Sequence, residues 1–387
     1  MGNLKCVGIV AEYNPFHNGH QYHVMRSREL TGADVVVAVM SGNFMQRGQM
    51  AMADKWTRAE LAVKGGVDLV VELPTIFACN SAGYFAKAGV GILEALGVEF
   101  LSFGSECGNL SFLQSINGKM KAHQEEIDRL IREYMKGGMA YPKARETAVS
   151  KFLTMEEVKE LNAPNNILAL EYLNHLTVAK PITVERTGTG YHDMEEAGGI
   201  ASATYIRSLM EQGEEVEHLV PEVPRRKESM DLFPLLAQRI LLASAEELDA
   251  ISGGGEGLGN KAKNRIRYCR NMEDLIEELK SKRYTRTRIE RFLGNILLGV
   301  RGEHVERGKL YARVLAFNEK GSRYLKQIKK AELCPIPILT NVNKELENVS
   351  EIHETFDFDV KASDLWNLTH GKDLYKGCDF VERVRKI

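Results

Sequence analysis

After its first five residues the chain contains the segment CVGIVAEYNPFHNGHQYH, which runs from Cys6 to His23. Its first part, Cys6 to Ala11, is a short apolar run typical of a buried strand, and Asn14-Pro15 interrupts it before helical character begins near Gly19. The turn between strand and helix carries His17, Asn18, Gly19 and His20. The first N–H groups of a helix lack partners and carry partial positive charge, so this turn predicts a phosphate-binding site.

A buried strand followed by a helix is a pattern that repeats along the first part of the chain. Apolar, β-branched runs predict strands at 6–11, 34–40, 67–73, 98–103 and, later, 181–187. Helical spacing predicts intervening helices at 21–30, 54–64 and 82–96. Such repeats predict an α/β fold with a doubly wound parallel sheet, which is Rossmann-like. Ligands of such sheets bind beyond the carboxyl ends of the strands, so we expect the site at the loops 12–20, 41–48 and 104–106.

The length of 387 residues predicts two or three domains. The strand pattern is lost over 109–161, which predicts a helical insertion, and helical periodicity dominates from 231 to about 300. Between them the segment with Arg225, Arg226 and Lys227 has the composition of a linker. We therefore predict an α/β domain over 1–220 and a basic, mainly helical C-terminal domain over 221–387, with short strands at 312–317 and 336–340.

The composition argues against several other classes of protein. Hydrophobic residues make up 44% and charged residues 27%, which is ordinary globular usage rather than that of a disordered or fibrous chain. No apolar run approaches the about 20 residues of a membrane span, and the first residues lack the apolar core of a signal peptide. The six cysteines stand far apart without a Cys-x-x-Cys pair, which argues against a zinc knuckle or a redox centre. We expect no membrane partner, cytoplasmic localisation and reduced thiols.

The near-neutral net charge of −2 conceals an uneven distribution. Residues 259–330 contain 20 Lys and Arg against 8 Asp and Glu, which predicts a surface for a polyanion. The cations form two clusters with Tyr268 and Tyr284 among them: Lys261, Lys263, Arg265, Arg267 and Arg270, then Lys282, Arg283, Arg286, Arg288 and Arg291. Cations for phosphates beside aromatic rings for unpaired bases are typical of proteins that bind RNA loops. The alternative is a solvated helix face balanced by acids elsewhere.

A second helix start suited to phosphate lies some 180 residues after the first. Ser202 or Thr204 can cap a helix beginning near Tyr205, and Arg207 follows one turn later. In the first turn, His17 and His20 can donate hydrogen bonds to phosphate oxygens, and Gly19 lets a nucleotide approach the backbone. The two starts together predict catalysis at a phosphate.

Three alternatives remain open for the opening turn. His17, His20 and His23 could bind a metal ion, although this spacing spreads them over more than half a turn and no carboxylate or cysteine cluster accompanies them. His23 alone could be a structural or adenine-adjacent histidine. The whole turn could be structural, but two histidines and Asn-Pro-Phe are poor choices for packing alone.

These residues resemble a known family. His17-Asn18-Gly19-His20 together with Ser202 to Arg207 is similar to the two signatures of the nucleotidyltransferase superfamily, with Ala203 where that superfamily often has serine. More narrowly, the chain resembles the bacterial tRNA(Met) cytidine acetate ligase family over most of its length. The segments that carry this resemblance are 11–20, 41–48, 54–56, 67–74, 103–106, 164–172 and 284–291.

The resemblance implies that ATP and acetate form acetyl-adenylate, and that the acetyl group then passes to the wobble cytidine of elongator tRNA(Met), giving N-acetylcytidine. It implies catalytic roles for His17, His20 and Arg207, with Mg²⁺ carried by ATP. The ATP contacts that it implies are Val10, Ala11, Glu12, Tyr13, Asn14, Pro15, Phe16, His17, Asn18, Gly19, His20, Gln21, Tyr22, His23, Gly104, Asn165 and Arg186, to which the second helix start adds Ser202 and Thr204. Acetate is ionised at pH 7 and needs no general base to attack phosphorus.

Two other functions stay open at this point: an adenylyltransferase that makes a small nucleotide product, and a nucleotide- or RNA-binding protein without turnover. Small-molecule enzymes of the superfamily are generally shorter and do not need a basic helical region of this size, which favours the ligase. We expect the acetate pocket at the loop 41–48. The sequence does not indicate the oligomeric state.

Overall fold

A single sheet of eight strands runs through the computed structural model, which describes residues 4–139, 141–161, 163–186, 199–224 and 229–387. The strands are β1 Cys6–Ala11, β2 Val35–Ser41, β3 Leu69–Leu73, β4 Phe100–Ser105, β5 Lys180–Glu185, β6 Ala312–Phe317, β7 Ile338–Leu339 and β8 Arg385–Lys386. Their order is β5-β4-β1-β2-β3-β6-β7, and β8 pairs with β6. All neighbours are parallel except β3 and β6, which are antiparallel.

Helices cover both faces of the sheet and form most of the C-terminal part. They are α1 Asn18–Thr31, α2 Lys55–Lys64, α3 Thr75–Ala78, α4 Ala82–Ala95, α5 Leu110–Ala122, α6 Gln124–Lys136, α7 Tyr141–Val149, α8 Met155–Leu161, α9 Pro164–His175, α10 Ala203–Gln212, α11 Phe233–Leu242, α12 Ala245–Asp249, α13 Leu258–Arg265, α14 Met272–Leu279, α15 Arg286–Leu298, α16 Gly302–Arg307, α17 Glu319–Ala331, α18 Val342–Glu345, α19 His353–Thr369 and α20 Cys378–Val381. Side-chain caps fix several starts, such as Asp54 on the Thr57 N–H before α2.

The alternation of side chains along β2 explains why the sheet is covered on both sides. Val35, Val37 and Val39 belong to the larger hydrophobic cluster, which α4, α5 and α9 cover. Val36 and Met40 belong to the cluster on the opposite face, which α1 and α2 cover. Both faces of a parallel strand are therefore buried, which is why these strands are apolar without a polar alternation.

The predicted α/β class, the helical insertion and the mainly helical C-terminal part are confirmed. The C-terminal part adds something that local patterns did not indicate, because β6 pairs directly with β3 and so extends the N-terminal sheet. A separate hydrophobic cluster from α11 to α15 holds the helical part together. The division at 220 stays a prediction, and the proposed linker at Arg225, Arg226 and Lys227 lies outside the described residues. No helix within the described ranges has the length and apolarity needed to cross a membrane.

Candidate active site

The turn after β1 is packed tightly by its own aromatic side chains. Tyr13 and Phe16 are buried, with ring centroids 4.9 Å apart in an edge-to-face arrangement. The Tyr13 ring also meets the His20 ring edge-on at 4.9 Å. The side chain of Asn14 accepts a hydrogen bond from the Met52 N–H at 3.0 Å, which ties the turn to the loop before α2. The two histidines of the turn therefore stand on a rigid support.

His17 and His20 form a stacked pair at the start of α1. Their ring centroids lie 3.7 Å apart, and His17 is the N-cap residue of the helix. The His17 backbone N–H donates to Nδ1 of His20 at 3.3 Å, so the proton of the neutral His20 ring stands on Nε2. Among the described residues, the buried Nδ1 of His17 has no hydrogen-bond partner. The pair offers neutral ring N–H groups to a ligand.

Burial decides the protonation state of both rings. It lowers the pKa of His17 to about 3, with smaller contributions from the charges of Arg186 and Arg207. Burial also places the pKa of His20 well below its usual value, and the neighbouring His17 and Arg186 add to this. Both imidazoles are therefore neutral donors at pH 7, and the positive charge of the site comes from the arginines.

Gly19 fits between the two predicted signatures. A Cβ at this position would lie 3.0 Å from Cε1 of His17 and 3.3 Å from Cγ2 of Ile200. Both contacts are tighter than side chains normally tolerate, so a larger residue would displace the His17 ring. A glycine is therefore needed at this position because the start of α1 packs against Ile200, just before α10. The structure thus gives a second reason for Gly19, beside the predicted approach of a nucleotide to the backbone.

The second helix start lies directly against the first. Asn18 donates through Nδ2 to the carbonyls of Gly199 at 3.0 Å and His218 at 2.8 Å. Arg207 on α10 donates through Nη1 to the Asn14 carbonyl at 2.7 Å. The predicted convergence of residues some 180 positions apart is thus present in the structure.

Ser202, rather than Thr204, caps α10. The Ser202 hydroxyl accepts from the Tyr205 N–H at 3.1 Å. The Thr204 hydroxyl instead accepts from Nη2 of Arg207 at 3.2 Å, and so orients this guanidinium.

Residues from β4, β5 and α9 complete the same edge of the sheet. Arg186, just after β5, donates to Oδ1 of Asn165 at 3.3 Å, and its Cγ would lie 3.3 Å from a Cβ at Gly104. Glu106 accepts from Asn165 Nδ2 at 2.7 Å and from the N–H of Asn166 at 2.9 Å, so it caps α9. Sequence reasoning placed Glu106 only in a polar loop, although a Pro-Asn-Asn helix start with free N–H groups could have indicated a partner.

The other predicted contacts are spread along β1 and α1. Val10 and Ala11 end β1, and Oε1 of Glu12 accepts from the Gln46 N–H at 2.7 Å. On α1, Gln21 is exposed and Tyr22 is half-buried.

His23 has a structural partner at Ser102, since its Nε2 lies 2.9 Å from the Ser102 hydroxyl. This contact favours the structural alternative for His23. In the part of the chain that the structure describes, no three His, Cys, Asp or Glu residues are grouped to hold a metal ion, so the histidine-metal alternative finds no support.

A buried charge cluster beneath the loop 42–54 was missed by sequence reasoning. Nζ of Lys55 donates to Glu72 at 2.7 Å and to Asp379 at 2.7 Å, and Arg313 also donates to Asp379. All four side chains are at most 3% exposed. Arg58, also buried, donates to the carbonyls of Glu12, Ser41 and Gly42. A glutamate within the apolar strand LVVEL was the one local signal for this cluster.

Known proteins match this chain over its whole length. The family model for HIGH nucleotidyl transferases matches residues 4–377. The tRNA(Met) cytidine acetate ligase of Thermoanaerobacter sp. (strain X514) is 38% identical over 99% of this chain and 100% of its own. That of Caldicellulosiruptor saccharolyticus is 36% identical over 96% of both chains. The chain belongs to the tRNA(Met) cytidine acetate ligase family.

Solved structures from the tRNA(Met) cytidine acetate ligase family share the fold. The crystal structure of Thermotoga maritima TmcAL without ligand has a TM-score of 0.91 at 34% identity and covers 99% of this chain and 100% of its own. The same protein bound with alpha-thio ATP has a TM-score of 0.89 with the same coverage. The predicted resemblance is therefore confirmed.

The basic clusters of this family member are partly used within the protein itself. Lys261 donates to the Leu279 carbonyl at 2.8 Å, and Lys263 donates to the Ala243 carbonyl, so both close helix ends. Tyr284 is 6% exposed and donates to the Glu256 carbonyl, so the expectation that it stacks on bases is wrong. The members that remain exposed are Arg265, Arg267, Tyr268, Arg270, Lys282, Arg283 and Arg286, the last of which is paired with Glu273.

Proposed function

We propose that this protein activates acetate with ATP and transfers the acetyl group to the wobble cytidine of elongator tRNA(Met). The observation that carries the proposal is the 38% identity, over the full length, to a protein named tRNA(Met) cytidine acetate ligase. The binding of alpha-thio ATP by Thermotoga maritima TmcAL, at 34% identity, supports ATP as the nucleotide. The two helix starts that meet around His17 and His20 provide the groups that can stabilise charge on the α-phosphate.

In the first step a carboxylate oxygen of acetate attacks the α-phosphorus of ATP, and pyrophosphate leaves. Negative charge grows on the α-phosphate oxygens, where Nε2–H of His20 and the His17 ring donate hydrogen bonds. The fixed charges of Arg186 and Arg207 and the two helix N-termini stabilise this charge further. Mg²⁺ enters with ATP, because it is usually bound through substrate phosphates.

Neutral histidines suit this step because the nucleophile needs no activation. Acetate is already a carboxylate at pH 7, so no side chain has to remove a proton from it. A histidine with a pKa of about 3, as burial gives His17, is a poor base in any case but a lasting donor. The site therefore acts by alignment and by stabilising charge.

In the second step the exocyclic amine of cytidine attacks the acetyl carbonyl of acetyl-adenylate. The new C–N bond forms, the bond between the acetyl carbon and the AMP oxygen breaks, and the amine loses one proton. The exposed cations of the helical part, around Arg267, Arg270 and Arg283, bind the RNA. We propose a cytoplasmic location because the tRNA substrate is there.

The test measures transfer of labelled acetate to elongator tRNA(Met) in the presence of ATP. We expect label on the RNA, none without ATP, and none on a control tRNA that has uridine at the wobble position. An adenylyltransferase would release pyrophosphate without acetate, and a non-catalytic protein would bind ATP without releasing pyrophosphate. Either result, with unlabelled RNA, would contradict the proposal.

A further inference from the structure

Helix α15 and the loop 42–54 cross at two glycines. A Cβ at Gly294 would lie 2.5 Å from the Gly48 carbonyl oxygen, so the two backbones touch directly. The next residue is Asn295, whose Nδ2 donates to the carbonyls of Cys79 and Ser252, each at 3.2 Å. This face of α15 is therefore fixed against the edge of the sheet where the candidate active site lies.

Arg291 lies on this same face and differs from the other arginines of α15. Arg286 donates to Glu273 and Glu290, and Arg288 donates to Glu256 and to glycine carbonyls. The guanidinium of Arg291 is half-buried, and among the described residues it forms no hydrogen bond or ion pair. Burial, together with the charge of Arg47, lowers its pKa. A half-buried cation without such a partner in the protein is typical of a group that a ligand completes.

Arg291 lies beside the loop 42–54, which also contacts the residue that follows β1. Arg47 precedes Gly48 in the loop that contacts α15, and the adjacent Gln46 N–H donates to Glu12 at 2.7 Å. Gly48 in turn lies against the backbone of Arg291, because a Cβ on this glycine would be 2.9 Å from the Arg291 Cα. Arg291 thus stands close to the residue that follows β1.

Building on the proposed acetylation of tRNA, we propose that Arg291 binds a phosphodiester group of the RNA beside the nucleotide whose base is acetylated. The planar guanidinium matches two phosphate oxygens at once, and the neighbouring Arg47 adds a second positive charge from the loop. Contacts of this kind fix the position of a nucleic acid without reading its sequence. Two parts of the protein therefore form this phosphate-binding site. The loop 42–54 belongs to the sheet, and α15 belongs to the helical part.

Acetate fits this position less well than a phosphodiester does. Acetate has to reach the α-phosphate at the histidine pair, and the arginines whose charges act on His17 are Arg186 and Arg207. Arg291 instead lies against Gly48, in the loop 42–54. A nucleotide spans this separation, because its phosphate lies several bonds away from the base that reacts.

The first experiment compares Arg291→Gln with Arg323→Gln, which removes an equal charge from an exposed arginine on α17. For Arg291→Gln we expect about tenfold weaker binding of elongator tRNA(Met) and a slope of log affinity against log salt reduced by about 1. Acetate-dependent exchange of pyrophosphate into ATP, measured without tRNA, should stay unchanged in both variants. Arg291→Lys should recover part of the affinity but not all of it.

The second experiment replaces the phosphates that flank the wobble cytidine by uncharged methylphosphonates. Wild-type protein should lose as much affinity with this RNA as Arg291→Gln loses with natural tRNA, and the variant should lose nothing further. Independent losses, or a raised acetate KM in the exchange assay with unchanged tRNA binding, would overturn the proposal. Absence of acetate-dependent exchange in the wild type would instead contradict the proposed ligase, while the binding comparison would still decide the role of Arg291.

Discussion

The backbone N–H of His17 donates to Nδ1 of His20, while the two rings stack at 3.7 Å. The N-cap residue of α1 thus fixes the tautomer of a side chain one turn along the helix. The His20 ring presents Nε2–H on the other side, and a protonated ring would lose the hydrogen bond from the backbone. The lowered pKa values of His17 and His20 and the hydrogen bond between them therefore both favour neutral rings that donate hydrogen bonds.

A loss of stability on mild acidification is expected from the buried histidines. Burial, followed by the charge of Arg186, lowers the pKa of His23 to about 4, whereas an unfolded histidine titrates near 6.5. Between these values the unfolded chain binds more protons, so the free energy of unfolding falls as the pH falls. Urea unfolding at pH 7, 6 and 5 should show a smaller fall for His23→Gln than for wild type. Equal falls for the variant and the wild type would contradict the role of His23.

Gly19→Ala should reduce catalysis with little loss of folding. The added methyl group would lie 3.0 Å from the His17 ring, which has to shift by a few tenths of an ångström; because a misplacement of 1 Å costs about 100-fold in rate, we expect a loss of up to about tenfold. The rate of acetate-dependent pyrophosphate exchange measures the effect. Gly118→Ala, on α5 with nothing within 4 Å of the new Cβ, should keep the rate and raise stability by about 0.5 to 1 kcal/mol. Equal rates for the two variants would refute the argument.

Asn18→Asp should separate the two helix starts. The substitution keeps the shape but replaces the Nδ2 donor by an oxygen that faces the carbonyls of Gly199 and His218. Asn18 is half-buried, so the loss of its donor should cost about 1 kcal/mol, and we expect a raised KM for ATP together with a lower unfolding midpoint. Asn264→Asp on α13 makes the same change at an exposed asparagine and should alter neither quantity.

Asp379→Asn should destabilise the protein strongly. Lys55 and Arg313 both donate to this carboxylate, and all three side chains are buried, so the change leaves two buried cations with one carboxylate charge fewer beside them. Breaking a buried pair in this way costs about 3 to 5 kcal/mol. Asp357→Asn removes a surface partner of Lys361 and should cost about 1 kcal/mol or less. Chemical unfolding of the two variants measures the difference, and similar values would contradict the role of the cluster.

Local sequence patterns were sufficient to predict the strands of the sheet and the turn after the first strand. The predicted strands 6–11 and 312–317 agree with β1 and β6 to the residue, because both are short apolar runs with polar or breaking neighbours. The start of α1 was predicted near Gly19, within one residue of Asn18, because the Asn14-Pro15 break and the glycine mark the turn. The meeting of the two signatures was expected from their chemistry, and the hydrogen bonds of Asn18 now account for it.

Contacts between residues that are far apart in the chain could not be predicted from the sequence. The contact of β3 with β6 joins residues about 240 positions apart, and no local period encodes such a pairing. The same holds for Lys55 with Asp379, and for Arg313 with the same carboxylate. Counting cations along the chain overstated the surface free for RNA, because a count does not distinguish a helix-closing lysine such as Lys261 from an exposed one.

The antiparallel pairing of β3 with β6 sets an order of events during synthesis on the ribosome. Leu69–Leu73 emerges early, but its outer edge has no partner until Ala312–Phe317 has been translated. Through that interval the nascent chain exposes the backbone of an apolar strand, which is the geometry that recruits other strands. A fragment ending near residue 220 would keep the histidine turn yet carry this open edge permanently, so self-association is its expected fate.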